Sequence, residues 1–62
     1  MRNRRSRIEA QLRASLTAGD GLETACHRIG VTTALLRAWM RSEPRFTARL
    51  GRWRRLGERR VP

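Results

Sequence analysis

The chain has no lysine, no tyrosine, one cysteine, one histidine and only five acidic residues. Each shortage excludes something. With Cys26 alone, no disulfide can close within the chain, and an unpaired thiol fits a reducing cytoplasm. A structural zinc site takes four ligands, which Cys26 and His27 do not supply, so neither a metal nor a cofactor is expected. Cys26 reads instead as a small core residue, and His27 as a solvated or phosphate-facing side chain. No nucleophile–base pair and no glycine-rich phosphate loop can be assembled, so no catalytic residue is expected and the chain does not read as an enzyme. No apolar run approaches the roughly 18 residues of a membrane span, and no apolar segment follows the basic start as in a secretory signal. The only aromatics are Trp39, Phe46 and Trp53, so a core has to be built mainly from Ala, Leu, Ile and Val. Helices suit such a core.

What is present is positive charge. The 62 residues, enough for at most one domain, carry fifteen arginines and a net charge of +10. A chain this short buries only about 60% of the surface its unfolded form exposes, which leaves little margin of stability. Arginine offers a planar fork of donors suited to phosphates and guanine edges. Codon bias in a GC-rich genome explains the preference for Arg over Lys equally well, but not the excess charge. A field this positive favours a polyanion, nucleic acid before an anionic membrane.

The charge is segregated. Residues 1–7 hold four arginines and no acid, residues 8–43 hold four arginines against four acids, and residues 44–62 hold seven against Glu58. A neutral body between two basic flanks divides the chain into a basic flexible arm (1–6), a folded core (7–43) and an arginine-rich C-terminal helix and tail (44–62).

Start and stop signals predict an all-α fold with four helices. Ser6 and Glu9 have capping-box spacing ahead of Ile8, Leu12 and Leu16, giving a helix over about 7–18 that ends at Gly19-Asp20-Gly21. Asp20 and Glu23 repeat the spacing for a helix over about 22–29, stopped by Gly30. Thr32 is positioned as the N-cap of a third helix over about 33–42, with Leu36, Trp39 and Met40 inward. Pro44 suits the first turn of a basic amphipathic helix over about 44–57, fraying from Gly57. Along it, Phe46, Leu50, Trp53 and Leu56 recur on one side. Phe46 and Trp39 read as core. The rest of the stripe either packs on the body or forms a homodimer seam.

The stretch 22–41 carries the functional signal. Two short helices meet at a tight turn whose glycine, Gly30, accepts positive φ, and small residues at Ala25 and Cys26 allow close approach. This is the layout of a helix-turn-helix inside a tri-helical body. It leaves Thr33, Ala34, Arg37 and Arg41 outward on the third helix, which would enter a major groove. Arg37 is the candidate for a bidentate guanine contact, worth roughly 1–3 kcal/mol of discrimination. Thr32 and Thr33 suit a phosphate or a thymine methyl. Arg2, Arg4 and Arg5 suit phosphates or a minor groove, and Arg28 a phosphate. About six phosphate contacts would give a slope of log K on log salt near −5.

Residues 21–32 resemble the first part of many phage-type helix-turn-helix domains. Residues 36–41, followed by Glu43-Pro44-Arg45-Phe46, resemble the signature of phage terminase small subunits and related prophage helix-turn-helix proteins. In that family a tryptophan ends the recognition helix, and a short basic–acidic–Pro–x–Phe link starts the next. The resemblance covers residues 21–50. It implies recognition of double-stranded DNA at a packaging site and delivery to a large terminase subunit, in the cytoplasm of a bacterial host. A small phage or mobile-element transcriptional regulator, or a recombinase accessory factor, would use the same module. Two readings of other classes remain. One is an oligomerising adaptor, homodimeric through Phe46, Leu50, Trp53 and Leu56. The other is a cationic membrane-surface helix over 44–60, against which the capped globular body argues.

Overall fold

The computed structural model describes residues 3–60, and among these the fold is all-α. Helix α1 spans Arg4–Thr17, α2 Leu22–Ile29, α3 Thr33–Ser42 and α4 Pro44–Arg60. Backbone contacts run round a ring. Helix α1 packs most extensively against α4 and next against α2, α3 packs on α4, and α2 touches α3 lightly. Among the described residues, the backbones of α1 and α3, and of α2 and α4, make no close approach.

Helix α1 begins earlier than its sequence suggests. Asn3, not Ser6, is the N-cap, with its Oδ1 accepting the Ser6 N–H at 2.8 Å. Asn3–Ser6 and Ser6–Glu9 share one spacing; Asn3 supplies the cap, while Glu9 pairs with Arg5 and Arg49. Residues 4–6, expected in a flexible arm, therefore form the first turn of a helix. The end of α1 is a Schellman turn. The Asp20 N–H donates to the Ser15 carbonyl and the Gly19 N–H to that of Leu16, both at 3.1 Å.

Asp20 does not cap α2 either. Its carboxylate accepts the Ser15 hydroxyl at 2.6 Å and pairs with Arg28 at 3.6 Å, and Gly21 occupies the cap position without a side-chain bond. Helix α2 closes as expected on Gly30, at φ +86°, with the N–H groups of Gly30 and Val31 both reaching the Cys26 carbonyl. Thr32 caps α3 through its Oγ1, which accepts the Leu35 N–H at 3.1 Å. Between α3 and α4 lies the single residue Glu43. The Thr47 hydroxyl secures this junction by donating to the Met40 carbonyl at 2.8 Å.

The core is Ile8, Leu12 and Leu16 from α1, Ala25 and Cys26 from α2, Leu36 from α3, and Phe46 and Leu50 from α4. Leu22, Ile29, Val31, Trp39, Met40 and Trp53 pack round it, half-buried. Phe46 is fully buried and meets Trp39 edge-on, with centroids 5.7 Å apart. Each large buried side chain contributes on the order of 1.5–3 kcal/mol, so five of them carry most of the stabilisation of so small a body.

Helix α4 does not end at Gly57. It continues to Arg60, and Gly57 is buried against the turn after α1. A Cβ on this residue would collide with the Leu16 carbonyl oxygen and lie 3.1 Å from the Cα and N of Gly19. The glycine that looks like a helix-breaker is a point of close helix–turn contact.

Candidate nucleic-acid interface

Helix α3 turns Leu36 fully inward, with Trp39 and Met40 half-buried beside it. The opposite side follows from the 100° helical step and carries Ala34, Arg37, Ala38 and Arg41. Ala34, Arg37 and Arg41 are exposed, Ala38 among them is half-buried, and Thr33 is half-buried at one edge. Arg37 and Arg41 stand one turn apart, and Ala34 and Ala38 alongside them leave that side of the helix open to close approach.

Thr32 is exposed, and its oxygen already accepts the Leu35 N–H, so its hydroxyl proton remains available for donation. Among the described residues, the Thr33 and Ala34 N–H groups have no intrachain acceptor. They point out of the positive end of α3, as the first N–H groups of any helix do. The same end therefore holds donors and partial positive charge where Thr32 and Thr33 were expected to meet a phosphate.

The flanking arginines divide into free and engaged. Arg4 is exposed and borders a shallow apolar groove formed with Arg5, Ile8, Leu35 and Trp39, which puts it beside α3. Arg28 is 68% exposed while touching Asp20 loosely. Arg5 is different. It forms ion pairs with Glu43 and Glu9, and its guanidinium lies 4.5 Å from the Trp39 ring centroid and 5.5 Å from that of Phe46. The hydrogen bond to Glu43 outweighs partial burial and holds this guanidinium above its already high ordinary pKa. Arg5, expected as a phosphate contact, instead fastens the start of α1 to the α3–α4 junction. Arg2 lies outside the described residues.

Cys26 is 2% exposed, and burial followed by the nearby Glu23 charge pushes its thiol pKa up. His27 is exposed. Among the described residues no three His, Cys, Asp or Glu side chains gather as metal ligands, and no helix is long and apolar enough to cross a membrane.

The stripe considered as a homodimer seam is largely consumed within the chain. Phe46 and Leu50 are core residues and Trp53 is half-buried, leaving only Leu56 substantially exposed. Sequence reasoning expects phosphate contacts from at least one of the arginine-rich flanks, but does not resolve which side of α4 carries its arginines. Once Phe46, Leu50, Trp53 and Gly57 face the body, a helical projection leaves Arg45, Arg52, Arg55 and Arg59 on the far side, all exposed. That projection is available from the sequence, but only after the inward residues are known.

No family model, no curated protein and no solved structure matches this chain.

Proposed function

We propose that the chain binds double-stranded DNA through a helix-turn-helix made of α2, the turn over residues 30–32, and α3, with α3 entering the major groove. The observation that carries this reading is the outward face of α3: exposed Arg37 and Arg41 one turn apart beside exposed Ala34, below a helix start with unused N–H donors. The net charge of +10 and the left-handed Gly30 turn support it. Arg37 takes the base-edge role, Arg41 and Arg4 flank it as phosphate contacts, and Thr32 and Thr33 grip the backbone at the start of α3.

Within this reading the chain is a phage- or prophage-type DNA-recognition module similar to terminase small subunits, with a large terminase subunit as partner. Support for that finer assignment is the resemblance over residues 21–50, in which Trp39 and the Glu43–Phe46 link fall at the family's positions. A large packaging ATPase in the neighbouring gene would support it, whereas an integrase or a divergent promoter would favour a recombinase accessory factor or a regulator.

The test is selection of a preferred site from a randomised duplex pool, followed by titration of that site and a scrambled duplex. Arg37→Ala should bring the two affinities together, losing about 1–3 kcal/mol of discrimination. A variant that retains the full preference would refute the assigned face.

A further inference from the structure

Helix α4 holds seven of the fifteen arginines and a single acid, Glu58. Its apolar residues are spent on the core, so its charge lies on the surface left over. Arg45, Arg52, Arg55 and Arg59 follow one another at steps of seven, three and four residues, which keeps them on one side of a helix. All four are exposed, and among the described residues no carboxylate forms an ion pair with them. Arg49, on the α1-facing flank, is by contrast paired with Glu9. From Arg45 to Arg59 the row is about 21 Å long at 1.5 Å per residue. At 3.4 Å of axis per base pair, that length spans about six base pairs of duplex.

The row is separate from the face of α3. Helix α4 meets α3 through Phe46 and Thr47 and meets α1 and its following turn through Arg49 and Gly57, and in helical projection the row occupies the side these contacts leave free. An anionic membrane fits the row less well than nucleic acid. A surface-lying helix needs an apolar face to sink into the lipid, and here that face is occupied by the protein core, with Leu56 alone at the margin of the row.

We infer that the α4 arginine row is a second duplex-binding site, so that one molecule holds two DNA segments at once. The inference rests on the α3 reading above and adds a bridging activity to it. The row takes phosphates without reading sequence, as spaced arginines with no base-reading partner do.

The full chain is tested by immobilising a biotinylated duplex bearing the selected site and measuring capture of a second, fluorescent duplex of unrelated sequence. Sedimentation at the same protein concentration reports the oligomeric state. The wild type should capture the second duplex as a monomer. The R52A/R55A/R59A variant should hold the immobilised duplex with unchanged site preference and lose second-duplex capture by tenfold or more, on the order expected for three missing phosphate contacts. Circular dichroism checks its folding, and the corresponding glutamine variant repeats the measurement with longer side chains.

Capture that survives both variants, including capture by a dimer, overturns the inference. So does a parallel loss of first-duplex affinity, which would put α3 and the row on one duplex. Failure to hold a second duplex while the first is bound defeats bridging alone, whereas failure to hold any duplex defeats the α3 reading as well. Loss of binding to phosphatidylserine vesicles in the variants, with no two-duplex capture by the wild type, would assign the row to a membrane instead.

Discussion

Replacing Gly57 with alanine should destabilise the protein, whereas the same change at Gly51 should stabilise it. Both glycines lie within α4, where alanine is favoured over glycine by about 1 kcal/mol. At Gly51 that gain is unopposed, because an added Cβ meets only Arg55 Nη1 at 3.6 Å, the end of a flexible side chain. At Gly57 the new methyl meets backbone: the Leu16 carbonyl oxygen and the Cα and N of Gly19. Those atoms belong to a turn held by two hydrogen bonds and cannot yield without opening it. Overpacking costs typically about 1–3 kcal/mol, and a rigid neighbour places this case near the upper end. Set against the helix-propensity gain, the net loss is about 2 kcal/mol, and the two variants should differ by about 3 kcal/mol. For a domain of this size each kcal/mol moves the melting temperature by about 4–8 °C, so the pair should be separated by at least about 12 °C. Thermal melts followed by circular dichroism at 222 nm read this directly. A Gly57→Ala protein that melts at or above the wild type would refute docking of the last turns of α4 onto the α1–α2 turn.

Three further outcomes follow from the same contacts. Arg5→Ala and Glu43→Gln should each lower the melting temperature by several degrees and be strongly non-additive in combination, with Trp39 emission shifting as its stacked guanidinium is lost. Simple additivity would show that the ion pair does not link α1 to the α3–α4 junction. Thr32→Ala should cost about 1 kcal/mol in chemical denaturation through loss of the α3 cap, and a neutral result would deny the 3.1 Å bond to Leu35. Cys26, with its folded pKa raised, should react slowly with iodoacetamide. Its contribution to stability is complete below the unfolded thiol pKa of about 8.5 and is lost as pH rises through the elevated folded value. With neither Lys nor Tyr present, few other groups obscure this window. A urea midpoint that does not fall between neutral and strongly alkaline pH would contradict it.

The features legible in the sequence are those fixed by near neighbours. Thr32, Gly30 and Pro44 each settle a helix boundary through atoms within a few residues, and α2 and α3 fall where these signals put them. The stripe Ile8, Leu12 and Leu16 likewise identifies the α1 core face. The misses are decided at a distance. Glu9 has the spacing of a capping box with Ser6, but Arg49 on another helix takes it, and Asp20 is taken by Ser15 and Arg28. Arg5 reads as one more cation in a basic arm, until the fold brings Glu43 and Trp39 to it. Gly57 has the local character of a helix-breaker, and only the approach of the α1 turn gives it a different role. Phe46, Leu50, Trp53 and Leu56 are one stripe by periodicity, whereas the fold buries two and exposes the last. On the candidate interface, the outward placement of Ala34, Arg37 and Arg41 was legible because a cap and one core leucine fix the rotation of a ten-residue helix. The separate row on α4 required knowing which side of that helix the body claims.

The presentation of α3 to a duplex is tested most directly by following backbone and arginine Nε resonances of the full chain as a cognate duplex is added. The expected result is that the Thr33 and Ala34 amides and the Arg37 and Arg41 side chains shift first and furthest at a one-to-one ratio, while the buried Leu36 amide moves little. Shifts centred on other elements, with α3 unmoved at saturation, would contradict the assignment of this helix as the reading surface.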